Sequence, residues 1–136
     1  MKIFLAIAAI LNWLFAAALF FAPEQFYAHG QPMTPLIAEL AQINGTTLLG
    51  VGFINWLGRT ADRQGHIAIL VGNLVTQAAS LGLGVSAVLS ASDQTILPAI
   101  ETGMSFHIVV GGSFAFFLWR TLMSTKRTAF ELQSKW

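Results

Sequence analysis

Ile3-Phe4-Leu5-Ala6-Ile7-Ala8-Ala9-Ile10-Leu11-Asn12-Trp13-Leu14-Phe15-Ala16-Ala17-Ala18-Leu19-Phe20-Phe21-Ala22 is a run of twenty residues with no charge and a single amide, Asn12. At 1.5 Å per residue such a run spans about 30 Å as a helix, the thickness of a bilayer's hydrocarbon core. Three further runs of that kind follow, and the spans are placed at about 3–22, 36–57, 67–89 and 97–118. Pro23 stops the first, and Thr34-Pro35 reads as an N-cap with a first-turn proline for the second. Ser90-Ala91-Ser92-Asp93 breaks the chain between the third and fourth, and Pro98 falls in the first turn of the last, where it costs least. None of the runs alternates with period two, so a barrel is disfavoured. The fold expected is all-α: one polytopic membrane four-helix bundle over residues 1–136, with a short tail at 119–136.

Composition agrees. Of 136 residues 55% are apolar and 10% charged, against about 25% charged for a soluble domain. A net charge of +1 argues against nucleic acid as a partner, and zero cysteines exclude disulfides, thiolate metal sites and cysteine nucleophiles. A secretory signal also begins with a basic residue and an apolar run. Twenty residues exceed the usual apolar region of a signal, however, and Phe20-Phe21-Ala22 carries no A-x-A cleavage pattern, so the first run is read as a retained span.

Orientation follows from the basic residues. Lys2 precedes the first span, Arg59 and Arg63 lie between the second and third, and Arg120, Lys126, Arg127 and Lys135 follow the fourth. All seven fall on one side, which places both termini in the cytoplasm, with a bacterial inner membrane as the expected location. Trp56, Trp119 and Trp136 sit at the basic side as interface anchors and Phe26 and Tyr27 at the other, while Trp13 is too deep for that role. The Pro23–Thr34 segment, with Phe26, Tyr27 and Met33 among Glu24, Gln25, His29 and Gln31, reads as a helical turn or irregular cap in the outer interface. The tail past Trp119 lacks a clean 3.6-residue period and reads as a marginal helix on the cytoplasmic surface. Leu11-Asn12-Trp13-Leu14 is echoed by Ile54-Asn55-Trp56-Leu57, at a different depth.

Helices in lipid associate through close packing at small residues and through polar contacts. Gly45, Gly50 and Gly52 on the second span, Gly72, Gly82 and Gly84 on the third, and Gly103 and Gly111 with Gly112 on the fourth are the candidate packing positions. Ala78-x-x-x-Gly82 and Ser80-x-x-x-Gly84 form small-residue pairs one turn apart. The span midpoints carry Asn12, Thr46 with Thr47, Gln77 and His107, so each helix brings a hydrogen-bonding group to one level. Facing lipid is costly for such groups, so the expectation is an inward polar layer that fixes helix register or binds a ligand head.

Glu39 and Glu101 each lie about 6 Å inside their helix starts, where the positive end of the helix dipole favours a carboxylate. Glu39, Gln42 and Thr46 share a face, as do Asn73, Gln77, Ser80 and Gly84; if those faces meet, a polar cleft runs from the outer surface to the midplane. His107 is flanked one turn away by Gly103 and Gly111, which is how a helix makes room for a flat macrocycle on an axial histidine. A single histidine supplies a single ligand, so a hydrogen bond to Gln77 or Asn12 is the expected use of the ring, in preference to haem or pigment ligation.

The usual catalytic and phosphate-binding signatures are absent. Phe21-Ala22-Pro23-Glu24, Gly30, Ala38-Glu39 and Asn44-Gly45-x-x-Leu48-Leu49-Gly50-x-Gly52 running to Arg59 resemble small bacterial four-helix membrane proteins of the DoxX-like group and a neighbouring family of unknown function. The likeness covers the first two spans and part of the third. It departs from the pattern at Asn44, where an aromatic is frequent, and in its longer basic tail. What the resemblance implies is the four-helix fold and, by analogy with small subunits of quinone-linked oxidoreductases, an accessory role.

The function expected is that of a non-catalytic accessory subunit packing against a larger membrane complex, such as one of electron transfer or photosynthesis, with lipids and other integral membrane proteins as partners and no required cofactor or metal. The alternative is a binding protein for a lipid-like ligand such as a quinone or sterol, or a small membrane enzyme, using the cleft of Asn12, Glu39, Gln42, Thr46, Asn73, Gln77, Glu101 and His107. Glu101 and His107 are six residues and so about 120° apart around the helix, which weighs against their acting together.

Overall fold

The computed structural model describes residues 1–28, 32–90 and 97–133; His29, the Ala91-Ser92-Asp93 break and Trp136 fall outside them. Four helices account for most of the chain: α1 (Lys2–Phe21), α2 (Pro35–Gly58), α3 (Arg63–Ser90) and α4 (Leu97–Gln133). A π-helical turn, Glu24–Ala28, follows α1, and no strand occurs among the described residues. All four helices are long and apolar enough to cross a membrane.

The boundaries have local causes. At the end of α1 the Ala22 N–H still donates to Ala18 O (2.8 Å), and Pro23 then ends the ladder. Thr34 caps α2, its Oγ1 accepting from Ile37 N (3.3 Å), with Pro35 opening the first turn as the sequence predicts. Asp62 does the same for α3, its carboxylate accepting from Gly65 N (2.8 Å). The tail past Trp119, expected as a marginal helix, is helical, and α4 continues unbroken through Trp119 to Gln133. No glycine or proline occurs after Gly112, and the stretch is mostly of good helix formers, so nothing stops the ladder.

The chain forms two compact units, Met1–Ala61 and Asp62–Trp136, each an antiparallel helix pair. In the first, Gly45 of α2 lies against Ala16 and Phe20 of α1, and Gly52 against Ala9 and Trp13. The buried residues Leu5, Ala9, Ala16 and Leu19 on α1 meet Ala41, Gly45, Gly52 and Asn55 on α2. In the second, Gln77 lies against Gly111, Met104 against Gly84, and Arg63 donates to Thr121 O (3.3 Å), so α3 and α4 also run in opposite directions. Leu70 and Phe114 are its fully buried apolar side chains. Outside these seams the large apolar side chains are exposed, among them Ile7, Leu14, Ile43, Phe53, Val75, Leu83, Ile108 and Phe116. Water would not leave such a surface uncovered, whereas lipid tails solvate it at no cost.

Candidate functional site

The polar residues of the helix centres separate by hairpin. In the second unit His107 of α4 and Gln77 of α3 meet, with Nδ1 2.6 Å from Oε1. A carbonyl oxygen accepts, so in this contact Nδ1 donates, and in the corresponding neutral tautomer Nε2 is the nitrogen with the free lone pair. Gln77 reaches this position because it packs on Gly111, where an added Cβ would stand 3.2 Å from Gln77 Cβ. One glycine therefore fixes the spacing that brings the two side chains into contact. Asn73, one turn along α3 from Gln77, is buried and donates from Nδ2 to Ile69 O (2.8 Å).

Of the other predicted residues, Asn73 and Glu101 belong to the second unit and Asn12, Glu39, Gln42 and Thr46 to the first. Glu39, Gln42 and Thr46 are exposed on α2. The Thr46 hydroxyl donates to Gln42 O (2.9 Å) and that of Thr47 to Ile43 O (3.0 Å), so both are satisfied by their own helix. Asn12 is half-buried on α1. Glu101 is exposed, and its backbone oxygen accepts from Ser105 Oγ (2.9 Å). Among the described residues no three histidine, aspartate or glutamate side chains come together to hold a metal ion.

The candidate packing glycines divide in two. Gly45, Gly52, Gly84 and Gly111 touch the partner helix of their own hairpin, whereas among the described residues nothing lies within 4 Å of a Cβ added at Gly50, Gly72, Gly82, Gly103 or Gly112.

Two features of the first unit were not singled out in the sequence. Asn55 is fully buried, and it continues the line Ala41, Gly45, Gly52 at helical spacing, which is the signal that points to it. The rings of Trp13 and Trp56 lie 5.6 Å apart, with Phe53 5.2 Å from Trp13. Their Cα atoms belong to different depths, as the sequence echo implies. Helical side chains lean toward the helix N-terminus, however, and in an antiparallel pair those leans point at each other. The Trp13 ring lies against Gly52, and its Nε1 is buried there without a hydrogen-bond partner among the described residues. At the end of α2 the Arg59 guanidinium stacks 3.7 Å over the Trp56 ring and donates to Trp56 O, a cation–π arrangement suited to the headgroup level. No family model, curated protein or solved structure matches the chain.

Proposed function

We propose that the chain is a non-catalytic accessory subunit of the bacterial inner membrane, a four-helix protein of DoxX-like type with both termini cytoplasmic, which packs against a larger membrane protein. The observation that carries this reading is the back of α3. Ala68, Gly72, Thr76, Ala79 and Ser86 are all exposed, and at 100° per residue they fall within an arc of about 80°, in which Leu83 is the one large side chain. The centre of that arc is turned about 130° from the side engaged in the hairpin, at Leu70, Asn73, Gln77 and Gly84. Small residues facing lipid gain nothing, whereas small residues facing another helix let the backbones approach and dispersion accumulate. The Thr76 hydroxyl is already bonded to Gly72 O (3.0 Å), so the face offers shape with no unsatisfied polar group.

The test is site-specific photocrosslinking in intact membranes from Gly72, Ala79 and Ser86, with Leu11 and Leu14 on α1 as exposed apolar comparators. The reading expects a discrete protein adduct from the α3 positions and lipid adducts from the comparators. Equal lipid labelling from both sets overturns it. The His107–Gln77 pair favours a second reading, a binder of a lipid-like molecule, because it leaves Nε2 and an amide able to meet a ligand head.

A further inference from the structure

The sequence presents a hydrogen bond to Gln77 and axial ligation as competing uses of His107, but the two use opposite nitrogens. Nδ1 is engaged by Gln77 Oε1 at 2.6 Å, and among the described residues no partner reaches Nε2. A ligating histidine commonly donates its other N–H to a carbonyl or carboxylate, which fixes the tautomer, orients the ring and makes the ligating nitrogen more basic. Gln77 makes that contact here. We propose that His107 Nε2 is the axial ligand of a metallotetrapyrrole seated against α4 over Gly103.

Room is the second observation. A macrocycle on an axial nitrogen needs the neighbouring helix surface clear, and helical side chains lean toward the N-terminus, which for His107 is toward Gly103. Gly103 is exposed and, among the described residues, no other group lies within 4 Å of an added Cβ, while the turn on the other side, at Gly111, is filled by Gln77. The clearance is therefore one-sided and on the side to which the ring leans. Phe106, exposed and edge-on to the imidazole with centroids 5.8 Å apart, adds an apolar surface beside it.

Donor count is the third. A bare ion needs several protein ligands, and no group of three is present among the described residues; a tetrapyrrole brings four nitrogens of its own and asks one of the protein. A hydroxylated lipid donating to Nε2 would satisfy the same lone pair. It would make a point contact, however, and leave the bare helix face at Gly103 without a role. The inference concerns the α3–α4 hairpin alone and stands apart from the accessory-subunit reading, since pigment binding by the purified chain and partner contact in membranes are separate measurements.

The experiment titrates the purified full chain in dodecyl maltoside micelles with ferric protoporphyrin IX, following the Soret band against empty micelles. The expected result is a saturable shift at one haem per chain, weakened at least tenfold by His107→Ala and at least tenfold by Gly103→Leu. His107→Gly should regain the shift when imidazole is added, which assigns the loss to the missing ligand and not to misfolding. Gln77→Leu should keep the stoichiometry but, after reduction with dithionite, lower the iron–histidine stretching frequency of the five-coordinate ferrous complex, since the ring loses its N–H···O contact. Uptake equal to that of empty micelles, or equal in the wild type and His107→Ala, overturns the proposal. Saturable binding of a sterol or quinol that depends on His107, with no such binding of haem, also overturns it in favour of the hydroxylated lipid.

Discussion

Gly52→Ala tests the packing of the first hairpin most sharply, because the added methyl has nowhere to go. Its Cβ would lie 2.5 Å from Trp13 Cδ1 and 3.2 Å from Ala9 O, where ordinary contact begins near 3.4 Å. The indole must therefore retreat by nearly 1 Å or the helices must part. Retreat disturbs the contacts of Trp13 with Phe53 and Trp56, and aromatic pairs are worth about 0.5–1.5 kcal/mol each. Overpacking of this kind costs about 1–3 kcal/mol, offset by about 0.8–1 kcal/mol gained from alanine's better helix propensity. The net expectation is a destabilisation of about 0–2 kcal/mol. Gly45→Ala meets Ala16 O and the Phe20 ring at 3.3 Å, a contact that a few tenths of an ångström relieves, and should be near neutral. Gly50→Ala meets nothing within 4 Å and should be neutral or slightly stabilising. Unfolding in mixed micelles with increasing sodium dodecyl sulfate, read by tryptophan fluorescence, orders the three. Equal stability of Gly52→Ala and Gly50→Ala would refute the close approach at Trp13.

The remaining predictions concern the second hairpin and the topology. Asp62→Ala removes the cap on Gly65 N and should cost about 0.5–2 kcal/mol, with faster amide exchange confined to the first turn of α3. A double-mutant cycle with His107→Ala and Gln77→Ala should give a coupling of about 0.6 kcal/mol, the average for polar contacts between membrane helices, and a coupling of zero would argue against the bond. A periplasmic reporter fused after Trp136 should be silent and one inserted near Asp93 active, since all seven basic residues lie on the other side of the chain's loops.

The elements of this fold are legible in the sequence because a membrane helix is set by length and apolarity, and its ends by proline and capping residues. Thr34-Pro35 is an instance: the cap and first turn lie where those residue types require. The His107–Gln77 contact was within reach for a similar reason, since counting residues from each span end places both at the centre, and rise per residue is nearly constant. Depth alone does not say which way a side chain turns. Thr46 and Thr47 stand at the expected level but bond their own backbone, and Glu39 and Gln42 stay exposed. Depth also hides contacts made by long side chains. Trp13 and Trp56 look unrelated by residue count, yet the opposed leans of an antiparallel pair bring their rings together. Asn55 lies far from the midpoint of α2, so depth does not point to it, although the small-residue line at Ala41, Gly45 and Gly52 runs directly to it. Past Trp119 amphipathic periodicity fades, yet α4 runs on to Gln133, because helix formation needs only that nothing interrupt the backbone ladder.

The accessory-subunit account is tested most directly by native mass spectrometry of the chain extracted from its own membrane in mild detergent, alongside Gly72→Leu and Gly82→Leu. The account predicts that the 14.7 kDa chain leaves the membrane in a defined larger assembly and that Gly72→Leu separates it from its partner without unfolding it. Recovery of the wild-type chain alone, at its own mass or carrying only lipid, would contradict it.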